Sequence, residues 1–393
     1  MRTIREIYRI GAGPSSSHTM GPKRAAQEFK RDVPSAARFD VMLYGSLSAT
    51  GRGHLTDVAI QAAFAPVPSH IEFNPSALAE HPNGIDFTAY DSAGCVIGTR
   101  RVFSVGGGAL SSDGSDGDTV YPHRTMADIL DWCRTSGKTL WEYVYQFETD
   151  AIQEYLANVW KTMKAAIERG MDAEGALPGV LHLSRKAYAY RLKAKQSAGY
   201  LKHTTRIFAL ALATAEENAS GGEVVTAPTC GSAGVLPALI KHIEETEDVS
   251  ESRILRALAT AGIIGNLAKT NASISGAEVG CQGEIGVACA MAAGAAAQLL
   301  GATPAQIEYA AEMGLEHHLG LTCDPVAGLV QVPCIERNAM AATRAMDCAA
   351  YALQSDGHHR ISFDQVVDTM YRTGKDLNAS YRETATGGLA SIR

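Results

Sequence analysis

The sequence predicts two domains, a small α+β domain over residues 1–125 followed by an all-α domain over residues 126–393, and three observations support this. A chain of 393 residues is long for one hydrophobic core. Short runs rich in β-branched and aromatic residues fall in the first third, whereas helical periodicity dominates beyond it. Hydrophobic residues make up 46% and aromatics only 7%, with 38 glycines, which suits helices packed closely through small side chains.

The elements follow in order. KRAAQEFKR (23–31) reads as a helix behind the polar stretch GAGPSSSHTMGP (11–22). FDVMLYG (39–45) reads as a strand, followed by a glycine-rich turn and a short helix from about 54 to 63. HIEFN (70–74), IDFTAYD (85–91) and CVIGTRRVFSVGG (95–107) are further strands, bounded by Pro, Asn and Gly. SSDGSDGD (111–118) reads as an exposed loop, because it lacks the glutamate of a calcium-binding EF-hand. Helices are then expected over 126–133, 140–169, 202–218, 252–267, 286–300, 304–316, 336–353 and 363–372. Glycine- and cysteine-rich segments interrupt them at TAPTCGSAGVLP (226–237), SGAEVGCQGEIGVAC (275–289) and GLEHHLGLTCDPVAGLVQVPCIERN (314–338).

Composition excludes several classes. A net charge of −7 without a Lys/Arg cluster argues against nucleic acid as a partner. MRTIREIYRI has no apolar stretch ahead of a small-residue cleavage site, so no secretory signal is expected. The uncharged stretch 285–307 is mostly Ala and Gly and is broken at Thr303-Pro304, so it reads as buried helix and not as a membrane span. Eight cysteines in such a chain point to reduced thiols in the cytoplasm.

Three of those thiols, Cys281, Cys323 and Cys334, lie in loop-like segments flanked by Gly or Pro. Cys289 and Cys348 sit among alanines and read as core, and Cys95 and Cys133 are similarly bland. The spacing of the three matches neither a zinc ribbon nor a ferredoxin run, and a shared metal site is one reading of it. Three thiolates would leave one iron of a four-iron cluster open to act as a Lewis acid.

AEVGCQGEIGVACAMAAG, EHHLGLTCDPVAGLVQVPCIERN and YRETATGGLA closely resemble the iron–sulfur-dependent bacterial L-serine dehydratases (L-serine ammonia-lyases). GPSSSHTMGP, GRGHLTD and SVGGG resemble the same family in the same order. The resemblance implies a helical catalytic domain, a [4Fe–4S] cluster on Cys281, Cys323 and Cys334, and conversion of L-serine to pyruvate and ammonia without pyridoxal phosphate. It also implies a homodimer acting on a small amino acid.

The reaction needs a base poised near neutrality, which favours histidine. His54 is the expected base, in a glycine-flanked turn, with His18 as the alternative. Ser15, Ser16, Ser17, His18 and Thr19 offer hydroxyl and N–H groups for the substrate carboxylate, although one such residue ahead of a helix is ordinarily an N-cap. Ser104, leading SVGGG, could add a backbone anion nest or simply end a strand. His317 and His318 are either neighbours of the cluster or helix-end residues, and Lys269, Thr270 and Asn271 are candidates to line the site.

The chain departs from the family in three places. The stretch 64–91 looks compressed. GGLASIR carries no terminal cysteine of the kind that caps the open iron in some relatives. Cys230 stands where asparagine is expected, and reads as a residue beside the site that is not a ligand. Other readings remain: the same chemistry on L-threonine or L-cysteine, or a non-catalytic cluster-bearing sensor.

Overall fold

The structure, a computed structural model, describes residues 1–111 and 119–392. Among these residues six strands form two sheets. β1 (Ile10–Ala12) pairs antiparallel with β6 (Glu223–Val225). β2 (Arg38–Tyr44), β3 (Ser69–Asn74), β4 (Gly84–Tyr90) and β5 (Val96–Phe103) form a mixed sheet in the order β3-β2-β4-β5, with only β2 and β3 parallel. Alternation puts Phe39, Val41 and Leu43 of β2 on the same buried face as Ile85, Phe87 and Ala89 of β4. Helices Gly21–Asp32 and Thr56–Phe64 cover that face, and the rings of Phe39 and Phe64 stack 4.0 Å apart.

The remainder is mostly helical, as expected, except for β6. Helix Val287–Leu299 is buried on every side, because Ala and Gly let helices Glu251–Asn271, Pro304–Glu316 and Cys334–Leu353 approach it closely. At 13 residues it is no membrane span, and no helix among the described residues is long and apolar enough to cross one. Ile4, Ile7 and Tyr8 pack into the helical core, where the Tyr8 hydroxyl donates to the Leu258 carbonyl at 2.7 Å. The chain's first turn therefore shares a core with the helices and not with the mixed sheet.

Several boundaries differ from expectation. The helix expected over 140–169 is two, Leu140–Phe147 and Ala151–Asp172. The break falls at Glu148, whose carboxylate accepts from Thr3 Oγ1 (2.8 Å), the Ile4 N–H (2.8 Å) and the Tyr121 hydroxyl (2.7 Å). Helices Ala187–Gln196 and Val235–Thr246 were not expected. The second begins inside the segment read as an interruption, with Pro237 tolerated in its first turn. The acidic run expected as an exposed loop falls at 112–118, outside the described residues.

Candidate active site

The polar stretch folds as a π-turn, Ser16–Met20, leading into helix Gly21–Asp32. Ser15 caps it, with Oγ accepting from the His18 N–H at 3.1 Å, so one serine does serve as an N-cap. Thr19 Oγ1 accepts from the Ser15 N–H (3.2 Å) and donates to the His54 carbonyl (2.7 Å). Ser104 Oγ donates to the Ser17 carbonyl at 2.7 Å. Ser15, Ser16, Ser17, His18, Thr19 and Ser104 are all buried. Thr19 and Ser104 thus fix the turn against its neighbours.

His18 is held at both ring nitrogens. Nε2 lies 3.0 Å from Ser46 Oγ, and Nδ1 lies 2.9 Å from Ser17 Oγ and 3.4 Å from Glu383 Oε1. The Ser46 hydroxyl donates its one proton to the Glu383 carbonyl (2.8 Å), so it must accept from His18. That assigns the proton to Nε2 and leaves Nδ1 as an acceptor. The Ser17 hydroxyl supplies the donor at 2.9 Å, and Glu383 suits this arrangement because burial pushes its carboxyl well above the usual range and keeps it neutral beside Nδ1. Burial likewise holds His18 neutral, down to about 3.

His54 lies in the turn ahead of helix Thr56–Phe64, with its ring centroid 4.5 Å from that of His18. It is 1% exposed, its Nδ1 has no partner among the described residues, and burial keeps it neutral. Gly53 is required here, because a Cβ would stand 2.4 Å from the Gly328 carbonyl oxygen. This contact joins the histidine turn to the loop before Cys334. Leu55, just after it, and Glu383 both sit in the left-handed region at φ 56° and 57°, backbone strain that collects where side chains are held for function.

The thiols reach the same place from three segments. Cys281 precedes the π-turn Gln282–Gly286, and its carbonyl accepts from the Ile285 N–H at 2.8 Å. Cys334 opens helix Cys334–Leu353. Cys323 is locked to the C-terminal segment, with its N–H donating to the Tyr381 carbonyl (2.8 Å) and its carbonyl accepting from the Glu383 N–H (2.7 Å). A hydrogen bond from the Cys323 thiol and the Arg337 guanidinium pull Cys281 down to about 6, against the effect of burial. The same bond and burial raise Cys323, and burial beside the Cys281 charge raises Cys334. Arg337 is itself aimed by the Thr322 carbonyl (2.7 Å) and Asp324 (3.4 Å). Burial and the Cys281 charge push Glu284, whose Oε2 lies 3.8 Å from Cys323 Sγ, up to about 8.

Gly276 marks where the two groups meet. A Cβ there would stand 2.7 Å from Glu284 Oε2, 3.0 Å from Cys323 Sγ and 3.3 Å from Glu383 Oε2. Glu383 Oε2 is buried and has no partner among the described residues. Three converging thiols, Cys281 and Cys323 buried and Cys334 half-buried, beside an unpartnered carboxyl oxygen and a wall without a side chain, form a donor set that fits a thiolate-bound metal cluster.

The other candidates stand outside these two groups. Cys230 is buried with its Sγ 3.7 Å from Met20 Sδ, packed behind the π-turn, although the adjacent Thr229 hydrogen-bonds Glu284. His317 and His318 place Nδ1 against the carbonyls of Met313 (2.9 Å) and Gly314 (2.7 Å) at their helix end. Lys269 pairs with Glu6, and with Thr270 it lines a different cavity beside Met1 and Arg124. Asn271 donates to the Arg124 carbonyl. Ser46, Glu284, Arg337 and Glu383 were missed. The last three stand inside the quoted cysteine and C-terminal motifs, where the available signal was an acid near glycines for Glu284 and Glu383 and a base three residues after a cysteine for Arg337.

The family model described as the serine dehydratase alpha chain matches residues 51–390, and that of the serine dehydratase beta chain matches residues 3–65. L-serine dehydratase 2 of Escherichia coli is 41% identical over 452 aligned residues, covering 99% of this chain and 98% of that protein. The L-serine dehydratase of Streptomyces coelicolor is 42% identical with the same coverage, and that of Helicobacter pylori is 36% identical. An alignment of 452 positions on a 393-residue chain means that parts of the Escherichia coli protein have no counterpart here. With both family regions in one polypeptide and matches along nearly its whole length, this chain belongs to the serine dehydratase family.

Proposed function

We propose that this chain removes water from L-serine and releases pyruvate and ammonia, at the buried site where His18, His54 and Glu383 lie beside the three thiols. The observation that carries the reading is His54: a buried, neutral imidazole with an unpartnered nitrogen, whose ring nitrogen lies within 4.8 Å of ligand atoms of His18 and Glu383. Cys281, Cys323 and Cys334 would hold a [4Fe–4S] cluster, which when bound supplies Lewis-acid polarisation of the substrate hydroxyl.

The remaining roles belong to the chain. His54 takes the α-proton of serine at Nδ1, the ring nitrogen that no group among the described residues occupies. Glu383 delivers a proton from Oε2, its unpartnered oxygen, to the departing hydroxyl, which leaves as water, while Oε1 stays beside His18 Nδ1. In the Ser15–Thr19 turn the hydroxyls of Ser15, Ser17 and Thr19 are taken up within the protein, which leaves Ser16 as the hydroxyl for the substrate carboxylate. Loss of water gives 2-aminoacrylate, which tautomerises to an imine that water hydrolyses to pyruvate and ammonia. The eight unpaired thiols suit a reducing compartment, and the cytoplasmic homodimer belongs to the same proposal.

The experiment is an anaerobic assay of ammonia and pyruvate release from L-serine, with L-threonine and L-cysteine in parallel. Fastest turnover of L-serine is expected. Release from L-cysteine alone would move the assignment to a sulfide-releasing lyase, and no release from any of the three would leave a binding protein.

A further inference from the structure

Away from the active site, helices Ala187–Gln196, Gly199–Ala219 and Val235–Thr246 enclose a cavity of about 490 Å³. Arg191, Lys195, Lys202, His203, Arg206 and His242 line it, and Glu245 is the one acidic residue among its walls. That carboxylate is already committed. It takes both arms of Arg206, at 2.8 and 2.6 Å, and lies 3.7 Å from Lys241 Nζ. Arg191 reaches out to the exposed Asp172 at 2.8 Å. Lys195 and Lys202 have no carboxylate partner among the described residues. The cavity is therefore a concentrated positive site on a chain of net charge −7.

The imidazoles add directed donors. His242 is 3% exposed, its Nε2 faces His203 Nδ1 at 3.4 Å, and its Nδ1 has no partner among the described residues. Helix Gly199–Ala219, which carries Lys202 and His203 near its start, has no acidic residue in its first turn and no side-chain cap, so its dipole adds to the same field. Met171, Ala194 and the aliphatic stems of the cations give the cavity apolar walls.

We propose that this cavity binds a small organic polyanion, a phosphate ester or polycarboxylate, separately from the amino-acid substrate. Unpaired lysines supply charge, the imidazoles and Arg191 supply hydrogen bonds to oxyanion groups, and the volume admits a metabolite but not a polymer. None of its lining residues takes part in the proposed dehydration, so the two readings stand or fall apart.

The test is calorimetric titration of the anaerobic holoenzyme with pyrophosphate and with citrate, at ionic strength held constant with potassium chloride. Saturable binding of one ligand per chain is expected for at least one of the two. Preference for pyrophosphate would identify a phosphate ester, and preference for citrate a polycarboxylate. The double variant Lys195→Gln/Lys202→Gln should weaken binding at least about tenfold while keeping wild-type turnover of L-serine, which shows that it is folded. Lys195→Arg/Lys202→Arg should restore binding. Heats that match the salt control, or binding unchanged in the glutamine variant, would overturn the proposal.

Discussion

His18 and Glu383 come from opposite ends of the chain and meet with Nδ1 3.4 Å from Oε1. Ser46 ties the pair together, taking a hydrogen bond from His18 Nε2 and giving one to the Glu383 carbonyl. The site is therefore closed by the C-terminal segment, which Asp324 anchors by accepting from the Leu389 N–H at 2.9 Å.

Glu383→Gln keeps the shape of that side chain but removes its transferable proton. Turnover should fall by about 10²–10³-fold with KM little changed, the loss typical of removing a positioned acid. Steady-state pyruvate formation checks this. A loss under about threefold would take the proton-delivery role from Glu383.

Ser46→Ala leaves His18 Nε2 and the Glu383 carbonyl without partners in a buried pocket. Stability should drop by about 1–3 kcal/mol, the cost of orphaned buried polar groups. Turnover should fall less than for Glu383→Gln, since the reacting groups remain. Urea unfolding together with the pyruvate assay separates the two effects.

Gly276→Ala places a methyl group 2.7 Å from Glu284 Oε2 and 3.0 Å from Cys323 Sγ. The overpacking should cost about 1–3 kcal/mol and reduce bound iron and sulfide per chain. Gly137→Ala is the control, in a left-handed turn where a Cβ meets nothing. It should lose stability without losing iron.

Burial depresses both imidazoles, His18 to about 3 and His54 well below its ordinary value. Unfolding returns each to near 6.5, so below that pH the unfolded chain binds more protons than the folded one. This contribution to stability is present above about pH 6.5 and is lost as pH falls toward 3. Each imidazole adds a slope of up to about 1.4 kcal/mol per pH unit in that window. His18→Gln should flatten the pH dependence of urea unfolding between about pH 6.5 and 5, and an unaltered slope would mean that His18 is not held neutral.

Much of the mixed sheet is legible because its strands are rich in β-branched and aromatic residues and bounded by Pro, Asn and Gly, and β2 and β4 add a clean alternation of buried and open positions. Glu148 was not legible as a helix break, since its partners Thr3, Ile4 and Tyr121 are distant in sequence. β1 and β6 escaped notice for the same reason: strands of three residues exist only through their pairing. His18, His54 and the three cysteines were singled out by motif. Ser46 and Glu383 were not, because each matters through hydrogen bonds that the folded chain creates.

The central claim, that His54 is the base in a site whose cluster rests on Cys281, Cys323 and Cys334, is tested most directly on one variant. Anaerobic His54→Ala should be measured for visible absorbance and for pyruvate formation from L-serine in the same sample. The account expects the brown iron–sulfur absorbance to persist while turnover falls by about 10²-fold or more. An intact chromophore with wild-type turnover would contradict it.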